Sequence, residues 1–196
     1  MKKRNFIILG ILLLTGIGFL ASKKIHLNLN SKYEIGQKVD SLNGVFVYYN
    51  GDVGHVLGRR VAEDGYNLGL KFQCVEFVKR YYYEALNHKM PDSYGHAKDF
   101  FNVELKDGQI NKQRNLTQYK NSSDSKPEVN DLVVYSGTAF NKYGHVSIIS
   151  KVKDKEVEII QQNPGPFGKS RQTYKLIKKD GKFKIENDLI LGWLRK

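Results

Sequence analysis

The stretch 72–87 constrains the fold more than any other part of the chain. Cys74, Phe77, Val78, Tyr81, Tyr82 and Ala85 recur there at three- and four-residue spacing, the signature of a helix with one buried face. Glu76, Lys79, Arg80 and Glu84 fall largely off that face, and Pro91-Asp92 lies just past its end. A shorter helix is predicted over 94–102. Before the main helix, 45–49 is a β-branched and aromatic run between Gly44 and Asn50-Gly51, a strand entering a turn. Gly51, Gly54, Gly58, Gly65 and Gly69 then mark a loop-rich approach. After the helix, 111–126 is polar and reads as a loop closed by Pro127. Strand patterns follow at 131–135, 145–152, 157–161, 174–177, 182–185 and 189–194, with Asp154-Lys155 placed for a hairpin turn. Helices packed on a later antiparallel sheet make this an α+β chain.

At 196 residues the chain is expected to form one domain, large enough to bury a core without staples. It holds a single cysteine, so no internal disulfide exists. Cys74 is therefore a buried filler, an intermolecular link or a reactive thiol, and free cysteines are commonly fillers. Lys2-Lys3-Arg4 precedes an apolar run over 6–21, and Ser22-Lys23-Lys24 follows it. Basic residues ahead of an apolar run read as an export signal. The run falls short of the roughly 20 residues of a comfortable span, and Phe19 stands where cleavage wants a small residue. A cleaved signal peptide and a retained signal-anchor are both open for 1–24, with 25–37 as a tether and 38–196 as the working domain. Either way the domain is expected outside the cytoplasm, secreted or held at the membrane. The formal net charge of +12 suits anionic partners such as wall polymers or acidic lipid; export argues against nucleic acid. No two histidines show the local spacing of a zinc motif, so neither metal nor cofactor is expected. His55, His88 and His96 read as loop or surface residues.

Cys74 falls in the first turn of the predicted helix, where free N–H groups and the helix dipole favour a thiolate. The same N–H groups suit the oxyanion of a tetrahedral intermediate. A thiolate needs a base and a group that orients the base. Gly144-His145-Val146 opens a strand with a histidine, and Gln161-Gln162-Asn163 ends the next strand of the inferred hairpin. Glu158 is the acid on that strand, but three residues from Gln161 its side chain should point to the opposite face. Glu76 reads as a solvated or salt-bridged helix residue.

Gln73-Cys74-Val75-Glu76-Phe77-Val78-Lys79-Arg80, Gly144-His145-Val146 and Gln161-Gln162-Asn163 together resemble the CHAP family of cysteine- and histidine-dependent amidohydrolases and peptidases. The likeness is nearest to the amidase domain of glutathionylspermidine synthetase/amidase and runs from about 33 to 194. The resemblance implies a papain-like fold, Cys74 as nucleophile and His145 as general base. It aligns Gln161 with the family's acidic residue and Asn163 with the asparagine two positions later. Gln161 thus departs from the family's Glu: its carbonyl can orient His145 but cannot stabilise imidazolium by charge. Three functions follow as expectations. The first is an exported amidase acting on peptidoglycan peptides, the second an amidase of glutathione–polyamine conjugates, and the third a catalytically weak wall-binding module.

Overall fold

The computed structural model describes residues 28–196; the expected export segment lies outside them. The fold begins with a hairpin, β1 (Lys38–Leu42) and β2 (Val45–Tyr48). Its two-residue turn, Asn43-Gly44, has positive φ at both positions, the geometry whose twist matches paired strands. A second hairpin, β3 (Arg59–Val61) with β4 (Asn67–Leu70), fills part of the expected loop-rich approach. The helix α1 runs over Cys74–Glu84. The shorter helix predicted over 94–102 is a single 3₁₀ turn, Ala97–Phe100.

The remaining strands are β5 (Gln109–Asn111), β6 (Leu116–Lys120), β7 (Leu132–Tyr135), β8 (His145–Val152), β9 (Glu156–Ile160), β10 (Arg171–Lys179), β11 (Lys182–Ile185) and β12 (Ile190–Arg195). They form one antiparallel sheet in the order β11-β10-β9-β8-β7-β12-β6-β5. Strands β5 and β6 correct the reading of 111–126 as a loop. Leu116 and Gln118 both turn inward, and Gln118 is satisfied there by Asn111 and by the backbone of Asn102. A buried, fully bonded glutamine hides the alternation that would have revealed the strand.

Each face of the sheet carries a core. One packs under α1, with Phe77, Val78, Tyr81 and Tyr82 against Leu132, Val134, Val146, Ile148 and Ile160. The other gathers Val133, Ile149, Ile159, Leu176, Ile185 and Trp193. It lies inside a curl that closes where Ser123 and Phe183 exchange backbone hydrogen bonds of 3.2 and 2.7 Å. The alternation along β7 and β8 sends successive residues to these two cores.

The polar anchor of the helix is Glu76, which is fully buried and not solvated. Its Oε1 accepts from Arg80 Nε at 2.6 Å, one helical turn on, and from Arg60 of β3 at 3.0 Å. Its Oε2 accepts from Gln162 Nε2 at 2.8 Å. Removing one partner of a buried ion pair leaves the other charge uncompensated. Glu76→Ala is therefore expected to lower stability by about 3–5 kcal/mol, read as a drop in the urea midpoint; a change within about 0.5 kcal/mol would show that the network contributes little.

Candidate active site

Gln73 caps α1 with an extended backbone, and Cys74 is the first helical residue. The positive φ of Phe72 turns the chain from β4 into this cap. The sulphur faces the backbone N–H groups of Val146, Val75 and Cys74 itself. Val146 is the residue after His145, so the helix start at Cys74 meets the opening of β8. Three N–H groups pull the thiol pKa down, as expected for a helix start, but burial outweighs them and raises it to about 11. Cys74 as a residue keeps some exposed surface; the desolvation that matters is that of its sulphur.

His145 is placed by the strands around it. It pairs with Tyr135 across β7, and the two rings lie 5.6 Å apart. Continuing the Ile148–Ile160 pairing by one step sets Gln161 across from Ser147, diagonal to His145 on the same face. His145 Nε2 and Gln161 Oε1 are 2.9 Å apart. Gln161 Nε2 donates to the carbonyl of Lys169 at 3.0 Å, so Oε1 is left to accept. This arrangement puts the ring proton of neutral His145 on Nε2 and leaves Nδ1 as the basic nitrogen. Burial lowers His145 from its ordinary 6.5 to about 4, against a smaller upward pull from Gln161. Glu158 takes no part here: it accepts from Ser150 Oγ at 2.8 Å and pairs with Arg171, on the opposite strand face.

The hydrogen bonds of the Asn163 side chain go to Gln73 and Val53 and not to His145. Asn163 Nδ2 donates to Gln73 Oε1 at 2.7 Å and to the carbonyl of Val53 at 3.2 Å. Gln73 in turn donates to the carbonyls of Val53 and His55 at 3.1 and 2.6 Å. The two amides clamp the loop after β2 onto the start of α1. Gln162, which sequence reasoning did not single out as a site residue, donates to the carbonyl of Gln73 at 2.9 Å and accepts from Tyr48 N–H at 2.8 Å. Its only signal was its place inside the Gln161-Gln162-Asn163 block. His55 and His88 are buried, not surface residues: each ring meets a backbone carbonyl, of Asn50 at 2.6 Å and of Arg114 at 2.9 Å.

The CHAP-domain family model matches residues 63–163 of this chain, a span that contains Cys74, His145, Gln161 and Asn163. This chain belongs to the CHAP-domain family. The CHAP chain is 32% identical over 148 residues to trypanothione synthetase of Crithidia fasciculata, covering 70% of this chain and 22% of that protein. It is 28% identical over 147 residues to bifunctional glutathionylspermidine synthetase/amidase of Escherichia coli (strain K12), covering 69% and 23% respectively. It thus spans less than a quarter of the length of either relative. The solved structure of Ly7917 with the hydrolyzing product of MDP aligns at a TM-score of 0.42 and 18% identity, covering 64% of this chain and 54% of that one.

Gly144 sets the entry to His145. Its φ is +74°, and an added Cβ would lie 2.5 Å from the Tyr135 carbonyl oxygen and 2.9 Å from Lys98 Cβ. Gly144→Ala is expected to cost about 1–3 kcal/mol and to displace the ring. Nitrogen-15 spectra of the wild-type imidazole should show the Nε2–H tautomer, neutral at pH 5. An imidazolium at that pH, or the Nδ1–H tautomer, would overturn the assignment.

Proposed function

We propose that this CHAP domain is an exported cysteine amidase that cuts amide bonds in peptidoglycan peptides, with Cys74 as nucleophile and His145 as base. The observation that carries the reading is the His145–Gln161 hydrogen bond, which frees Nδ1 for proton transfer at the strand whose Val146 N–H faces the Cys74 sulphur. Cys74 gives its proton to Nδ1 as the sulphur bonds to the amide carbon. The Cys74 N–H at the head of α1 stabilises the oxyanion. The C–N bond breaks as His145 returns the proton to the leaving amine, and water then hydrolyses the thioester with His145 again as base. Asn163 supports the site through Gln73. The basic surface and the export-like N-terminus support a wall substrate, and residues 6–21 would anchor an uncleaved form at the membrane.

Gln161 changes how this pair rests. A carboxylate behind the ring would favour imidazolium by charge, whereas a neutral amide orients without doing so. Between about pH 4 and about pH 11 the resting pair is neutral thiol and neutral imidazole. His145 must be unprotonated to act as base, so kcat/KM should rise through about pH 4 and then stay level. Thiol alkylation by iodoacetamide follows the thiolate, so it should still be rising above pH 9. In Gln161→Glu, the carboxylate raises the His145 pKa and moves the acid limb of activity upward. An acid limb that stays in place would show that Gln161 does not govern the base.

The similarity to glutathionylspermidine synthetase/amidase favours a second reading, hydrolysis of glutathione–polyamine amides by the same residues. Mass spectrometry of digested peptidoglycan, beside an assay of spermidine release, separates the two. New amine termini in the wall that disappear with Cys74→Ala are the expected result. Identical digests from both proteins, with no spermidine released, would leave a binding module and end the enzyme reading.

A further inference from the structure

A cleft of about 690 Å³ is lined in part by Gln161 and Asn163, which it shares with the site. It lies between the segment that leads into β1, the β1–β2 hairpin and the loop from β9 to β10. Four aromatic residues, Tyr33, Tyr48, Tyr49 and Phe167, contribute to the lining. Tyr33 and Phe167 are 39% and 74% exposed, so their rings are open to a ligand and not spent in the core. The position of the walls is set by hydrogen bonds. Asn30 Nδ2 donates to the carbonyl of Pro166 at 3.0 Å, and Tyr33 packs on Tyr49 with ring centroids 5.4 Å apart.

The charges of the cleft are unevenly used. Asp40 and Arg171 both line it but satisfy each other, with Arg171 Nε 3.0 Å from Asp40 Oδ2. Lys32 and Lys169 also line it, and among the described residues neither has an ion-pair partner. The acid of the cleft is neutralised and two cations are left over. Such a site attracts an anion and repels a polyamine, and its aromatic walls suit a peptide backbone more than a bare inorganic ion.

We propose that this cleft holds the peptide portion of the amide substrate, and that Lys32 and Lys169 recognise a free carboxylate on it. The inference rests on the amidase reading and narrows it to substrates with a carboxylate-bearing peptide on that side. It also orients the second reading: in a glutathione–polyamine amide the glutathione half, not the polyamine, would occupy the cleft.

The test measures binding without turnover. Full-chain Cys74→Ala is titrated by calorimetry with an N-acetylated dipeptide bearing a free C-terminal carboxylate, and with the same dipeptide as its C-terminal amide. The carboxylate form should bind about fivefold tighter at low salt, the scale of an exposed charge contact. The preference should vanish when Lys32→Glu and Lys169→Glu are added. Both lysines are exposed, so the fold should persist, which an unchanged melting temperature checks. Equal binding of the two peptides, no binding of either, or a preference that survives the charge reversals would overturn the proposal. If the preference is found but wild type cleaves no amide, the cleft is a peptide site and it is the amidase reading that fails.

Discussion

The buried carboxylate of Glu76 joins the parts that have to meet for this site to exist. It sits inside α1 two residues after Cys74, draws in Arg80 from the same helix and Arg60 from β3, and receives Gln162 from the chain just past β9. Gln162 also holds the carbonyl of Gln73 and the N–H of Tyr48. One hydrogen-bonded cluster thus ties the start of the helix to β2, β3 and the strand end that carries Gln161. A buried charge tolerates little displacement, because each lost partner exposes its full desolvation cost. The relative placement of Cys74 and His145 inherits that rigidity.

The same burial that steadies the site determines its electrostatics. Desolvation disfavours both thiolate and imidazolium, and it raises Cys74 to about 11 while lowering His145 to about 4. The helix start and the Val146 N–H oppose this only in part. The neutral Gln161 amide orients the ring without a charge that would favour the charge-separated form. Such a pair rests as neutral thiol and neutral imidazole.

Most of the sheet was legible in the chain because its strands alternate cleanly between two apolar cores; β8 and β11 keep their predicted limits. Strands β5 and β6 escaped because Gln118 occupies a core position and finds its partners in residues far from it in pattern, Asn102 and Asn111. Hairpin β3–β4 escaped because glycines that mark loops also mark tight turns. In the site, the Cys74 helix start, His145 at a strand opening and the Gln161-Gln162-Asn163 block at the end of the next strand could be read from spacing, while the choice of Gln161 within that block came from the resemblance to the CHAP family. The clamp of Gln73 and Asn163 on the Val53 and His55 carbonyls could not, since backbone acceptors leave no trace in side-chain identity.

The sequence by itself offered the residues that could do chemistry: one cysteine, a histidine behind a glycine, and the Gln161-Gln162-Asn163 block downstream. Those are matters of residue type and local period. Tertiary structure alone decided their protonation and their support. Burial is a property of the whole packed chain, and it reversed the expectation that a helix start would leave Cys74 as a low-pKa thiolate. The direction in which Gln161 points its carbonyl depends on Lys169 across a turn, and with it the nitrogen on which His145 carries its proton.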